Sequence, residues 1–105
     1  MRKLTIERKK TFVASLMKIN VYTPDENGLT LIRGIRSSKL GEVKNGQVLT
    51  FELDEGERDL LFCYCNEENG SESPSYRVPA GSEDVTVTIK PKLNPFRGNP
   101  IVIQK

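Results

Sequence analysis

The sequence contains no histidine and no tryptophan, only two cysteines, and no long apolar run. Without histidine the chain lacks the commonest general base and the commonest transition-metal ligand, and no Ser-His-Asp or Cys-His arrangement can be assembled. This leads to the expectation of a protein that is not an enzyme and carries no cofactor and no metal site. A bilayer-spanning helix needs about 20 predominantly apolar residues, whereas the longest runs here resemble Leu60 to Cys65. No membrane span is expected. The basic opening of Arg2, Lys3, Arg8, Lys9 and Lys10 is followed only by Phe12 to Met17 before Lys18 interrupts. That is too short for a signal peptide's apolar stretch and lacks a cleavage site of small residues, so a cytoplasmic location is expected.

Charge of either sign is nearly balanced, with 16 Lys+Arg against 14 Asp+Glu and a formal net charge of +2. Nucleic-acid binders usually carry a strongly basic domain or stripe, so no nucleic-acid partner is expected. The two cysteines, Cys63 and Cys65, stand two residues apart with Glu67 and Glu68 close by. On a strand they would share a face with Cα atoms about 6.5–7 Å apart, at the outer limit for a disulfide. Acidic neighbours oppose thiolate formation, and the pair reads as two reduced thiols in or near the core.

What is present is every-other-residue apolarity. Leu4 and Ile6, then Met17, Ile19 and Val21, then Leu49, Phe51 and Leu53, then Val85, Val87 and Ile89 all alternate with polar residues. Period two marks half-buried strands. Asn27-Gly28, Asn45-Gly46, Glu55-Gly56, Asn69-Gly70 and Ala80-Gly81 supply turns between or beside these runs. Strands are expected near 3–7, 13–22, 30–35, 39–43, 47–53, 58–65, 74–78 and 84–90. The alternation slips between Phe12-Ala14-Leu16 and Met17-Ile19-Val21, which a β-bulge would produce. At 105 residues the chain has room for one core. The expected fold is all-β, a small two-sheet antiparallel β-sandwich over residues 1–90, Ig-like or jelly-roll-like.

Past Lys90 the texture changes, with Pro91, Pro95 and Pro100 crowded together. Residues 91–105 read as an extended proline-rich tail. Its apolar residues Leu93, Phe96, Ile101, Val102 and Ile103 need cover, either from the chain's own core or from a second copy, and are the candidate partner contacts. Asp54, Glu55, Glu57 and Asp59 around Gly56 form the densest acidic cluster, read as a solvated hairpin tip rather than a cation site. Arg8, Lys9 and Lys10 are the candidate anion contact, set against the plainer reading of a solvated turn, since no aromatic residues are interleaved for base stacking.

The order Ile19-Asn-Val-Tyr22, Leu40-Gly-Glu-Val-Lys-Asn-Gly46, Leu49-Thr-Phe51, Asp54-Glu-Gly56 and Leu60 to Tyr64 resembles the PEGA-like small β-sandwiches and related short bacterial domains. The resemblance covers about two-thirds of the chain and implies a binding or structural module without catalytic residues. The segment from Thr23 to Ser38 is longer than the turn usual in that pattern and has room for an extra hairpin. The leading expectation is therefore a bacterial module that binds a protein partner, or self-associates as a homodimer, through an edge strand or the apolar tail. The alternative is a small-ligand or anion binder, or a weak enzyme, using carboxylates with Arg33, Arg36 or Arg58 near a pocket under the 23–38 loop.

Overall fold

The structure is a computed structural model that describes residues 1–12, 16–64, 74–91 and 101–104. Cys65, Leu93, Phe96 and the Asn69-Gly70 turn lie outside the described residues. The elements are β1 (Arg2–Arg8), β2 (Ile19–Pro24), β3 (Thr30–Ile32), β4 (Ile35–Val43), β5 (Val48–Leu53), β6 (Arg58–Tyr64), β7 (Ser75–Val78), β8 (Val85–Pro91) and β9 (Ile101–Gln104). They form a four-stranded sheet ordered β5-β1-β8-β9 and a five-stranded sheet ordered β3-β4-β2-β6-β7. The fold is an all-β sandwich, and its described residues include no helix.

One core lies between the sheets. Leu4 and Ile6 of β1, Val87 and Ile89 of β8, Leu53 of β5 and Ile101 of β9 face Ile19 and Val21 of β2, Val43 of β4, Leu60 and Phe62 of β6, and Val78 of β7. These are the alternating positions of the sequence, turned to one side by the two-residue period. β2 and β6 depart from simple alternation because they are inner strands of the five-stranded sheet and are buried on both faces. On the face away from the main core, Tyr22, Leu61, Cys63 and Ile32 make a second apolar cluster. Cys63 is thus buried.

Several details differ from expectation. β1 pairs with β8 in parallel, Leu4 opposite Val85 and Arg8 opposite Ile89, while the other strand pairs are antiparallel. Of the strand expected over 13–22, residues 13–15 lie outside the described residues, 16–18 are not strand, and β2 begins at Ile19, with Phe12 and Leu16 fully exposed. A bulge does occur in this pair, but on β4. The register steps from Val21 opposite Gly41 to Tyr22 opposite Lys39, leaving Leu40 as the extra residue.

The long 23–38 segment holds the extra hairpin. Arg33 (φ 53°) and Gly34 (φ 77°) turn β3 into β4 with both residues left-handed, as a two-residue type I′ turn requires. The chain's last described strand returns to its own sheet, with Ile89 opposite Ile103 and Pro91 opposite Ile101. Pro91 is tolerated there because β8 carries Ile89's carbonyl toward β1, where it accepts from Lys9 N–H at 2.9 Å. Residues of the same parity turn the same way, so Pro91's missing N–H falls beyond Arg8, the last residue of β1.

Candidate functional site

Alternation along β1 turns Arg2, Leu4, Ile6 and Arg8 inward together, which buries an arginine at each end of the strand. Arg2 Nε donates to the Asp54 carbonyl at 3.0 Å, and its Nη2 donates to the carbonyls of Gly56 at 3.0 Å and Pro79 at 2.8 Å. The guanidinium thereby ties the β5–β6 turn to the β7–β8 loop, which Gly81 N–H also joins by donating to the Glu55 carbonyl at 2.9 Å. At the other end Arg8 Nη1 donates to the carbonyls of Met17 at 2.6 Å and Val43 at 3.0 Å. Burial draws the Arg8 guanidinium below its ordinary pKa, with Tyr64 acting in the opposite direction.

This geometry splits the expected Arg8, Lys9 and Lys10 anion contact. Arg8 is 1% exposed and bonded to backbone carbonyls, because its even position on β1 faces the core, whereas Lys9 and Lys10 face solvent. Beside them the loop leaving β1 is fixed to the β4–β5 turn. Thr11 N–H donates to Asn45 Oδ1 at 2.9 Å, and Asn45 Nδ2 donates back to the Thr11 carbonyl at 3.0 Å. The stem of Lys10 lies over Gly46. Lys44 is exposed in the same turn, and an open hollow of about 460 Å³ runs along Lys10, Thr11, Phe12 and Asn45.

The opposite end of β1 is acidic. Asp54, Glu55, Glu57, Glu83 and Asp84 are exposed there, around the buried Arg2. The acidic cluster is a turn, as expected, and its carboxylates meet arginines. Arg58 approaches Asp54 at 3.4 Å, and Arg77 approaches Glu57 at 3.1 Å and Asp59 at 2.8 Å. The Arg77 hydrogen bond holds the Asp59 carboxyl below its usual range, and Asp59 in turn raises Arg77.

On the outer face of the five-stranded sheet, a groove of about 320 Å³ runs over Leu61 and Ile35 between Arg33, Asp59 and Arg77, closed by Pro24 and Ser75. Of the three arginines expected near such a pocket, only Arg33 lines it. Arg36 donates to the Gly28 carbonyl at 3.4 Å, and Arg58 turns to Asp54.

Strand edges complete the inventory. β7 is four residues between Pro74 and Pro79 and carries Arg77, and β3 has only three residues. Beyond β3, the described residues give Ser38 to Val43 of β4 no partner on that side, but the bulge and the ion pair of Lys39 with Glu42 at 3.3 Å protect this stretch. In the four-stranded sheet the end strands are β9 and β5. Of the tail residues singled out from sequence, Ile101 is buried in the chain's own core, Ile103 packs against it, and Val102 pairs with Lys90. β5 is six residues without proline or lysine, and Val48 on it is exposed.

No protein-family model matches the chain, and no curated protein matches it. No helix among the described residues is long and apolar enough to cross a membrane.

Proposed function

We propose that this chain is a PEGA-like binding module without catalytic chemistry, and that it pairs with a second polypeptide by strand addition at β5. The observation that carries the reading is the edge of β5, which no other described strand covers. Arg8 N–H donates to the Gln47 carbonyl, so odd positions of this strand serve β1 while the amide and carbonyl of Val48, Thr50 and Glu52 turn outward. A proline-free edge of this length is a template for another strand. The favoured occupant is a second copy of the chain, since two β5 strands crossing at Thr50 close a two-fold dimer and join the two four-stranded sheets.

The test is sedimentation equilibrium of the wild-type chain and of Thr50→Lys. The Thr50 side chain points to solvent, so the variant folds, but two lysines then face each other at the centre of the joint. A wild-type dimer that the variant converts to monomer supports the reading. A wild-type monomer over the whole accessible concentration range, or a dimer indifferent to the lysine at position 50, overturns it.

A second reading rests on the outer groove, where Arg33 and Arg77 flank Asp59 above an apolar floor. That arrangement suits a small ligand with an apolar body and a carboxylate or phosphate. Thermal-shift screening against small carboxylates and phosphates tests it, with stabilisation expected in wild type and lost in Arg77→Gln.

A further inference from the structure

We propose that the open side of the sandwich between β4 and β5 accepts a second copy of this chain rather than an isolated strand, because Leu40, Leu49 and Phe51 make the joint two layers deep. The inference rests on the strand-addition reading of β5 and names what selects the partner there. Size is the first argument. β5 has six residues and offers about 20 Å of edge, which covers roughly a few hundred square ångströms. A specific protein–protein interface buries about 1,200–2,000 Å² in total. Backbone pairing at β5 alone falls short of that range, so a stable joint needs contacts beside the edge.

The sandwich supplies them on the same side. β3 covers β4 only from Ile35 to Ser37, and the described residues give Ser38 to Val43 no strand partner there. β4 lies under β5 at this level, since a Cβ placed on Gly41 would stand 2.9 Å from a Leu49 methyl carbon. Leu49 and Phe51 point inward, opposite Ile6 and Leu4 of β1, and Leu40 is the residue that the bulge adds to β4. All three pack against the core yet stay half-buried, so each still holds apolar surface to remove from water. Two β5 strands crossing at Thr50 set Leu49 of each copy opposite Phe51 of the other, on the core face. These are non-hydrogen-bonded pairs, whose side chains approach most closely. Leu40, next to Gly41, stands one layer below at the same height, so the two Leu40 side chains close the seam beneath the paired strands. A lone peptide in the β5 edge would bring the upper layer only.

The experiment compares the wild-type chain with Thr50→Lys and Leu40→Ala by sedimentation equilibrium, with urea melts to confirm that each variant is folded. Thr50→Lys reports on the strand joint itself. Leu40→Ala is expected to weaken the dimer about tenfold or more, because the loss counts once in each copy. A synthetic peptide of residues 47–53, added in excess to the wild-type chain, is expected to leave the dimer intact. That measurement decides the matter if Leu40→Ala does not fold. A dimer that Thr50→Lys dissolves but Leu40→Ala leaves at full strength, or one that the peptide dissociates, would overturn the two-layer seam while the strand joint stands. A wild-type monomer, or a dimer indifferent to Thr50→Lys, would overturn both.

Discussion

Arg2 is the residue whose replacement separates a structural role from a surface charge most cleanly. Arg2→Met keeps an unbranched stem of similar reach and removes the three hydrogen bonds to the carbonyls of Asp54, Gly56 and Pro79. A hydrogen bond to a charged group contributes about 1.5–3 kcal/mol net when its partner is left buried. The Asp54 and Gly56 carbonyls belong to an exposed turn that water can reach once the guanidinium is gone, so each loss falls at or below the lower end of that range. The sum is about 3 kcal/mol, which for a domain of this size lowers the melting temperature by roughly 12–20 °C. Urea unfolding followed by circular dichroism measures the change, and an unchanged m-value would place it in stability rather than in the compactness of the denatured state. Arg2→Lys should recover only part of the loss, because an ammonium is a point donor that lacks the planar fork. Amide exchange at Gly81, whose N–H bonds the Glu55 carbonyl, should accelerate in Arg2→Met beyond the global effect. A change under about 1 kcal/mol with Gly81 exchange unaltered would show that the buried guanidinium does not hold the two loops together.

Three further outcomes follow from the geometry. Gly28→Ala should destabilise by about 3 kcal/mol in urea melts, because a Cβ there would collide with the Ser37 carbonyl, whereas Gly34→Asn should cost only a few tenths, since the left-handed turn position is open and asparagine adopts it readily. Acid should weaken the fold: Asp25 is held low by the Ser38 hydrogen bond and the Asn27 amide, Glu42 by Lys39 and then Lys18, and Asp59 by Arg77. Carboxyls depressed in the folded state contribute stability that is complete above their unfolded values of about 4 and is lost as pH falls through the lowered folded ones. The melting temperature should therefore be level near neutrality and decline below about pH 5, with a shallower decline in Arg77→Gln; a rise on acidification would refute the assignment. Ile101→Ala should cost about 2–4 kcal/mol because the side chain is buried in the chain's own core, with no change in sedimenting mass; a change in mass instead would show the tail engaged by a second copy.

The sandwich was legible because two-residue alternation is a local signal and each run carries its own turn. Leu4 and Ile6, Val87 and Ile89, and Leu53 could be placed inside without knowing their partners. Strand order has no such local mark. The parallel joining of β1 to β8 brings together segments some 80 residues apart, and nothing in Leu4 or Val85 records which strand lies alongside. In the strand expected over 13–22, Leu16 and Met17 stand outside β2 for a related reason. Apolar residues in a loop look like strand residues until the sheets are assembled and leave Phe12 and Leu16 outside.

The candidate surfaces were less legible, and β1 shows why. Its inward face reads Arg-Leu-Ile-Arg, and the end positions of a strand in a sandwich lie at the rim of the core, where loop backbones cross over. A leucine there would cover the carbonyls of Asp54, Gly56 and Pro79, or of Met17 and Val43, and leave them without donors. A guanidinium supplies several donors in one plane and lays its apolar stem along the core. The period that identified the core thus carried the correct answer for Arg2 and Arg8 as well, since both share parity with Leu4 and Ile6. Grouping residues by charge set that parity aside and placed Arg8 with Lys9 and Lys10 in one anion contact. With the two arginines removed inward, what remains at the far end of β1 is Lys9 and Lys10, joined by Lys44 from a turn that no sequence neighbour links to them. The basic surface is therefore a product of the sheet pairing between β1 and β5, and it is sharper than the sequence run that first suggested it, because every one of its charges faces water.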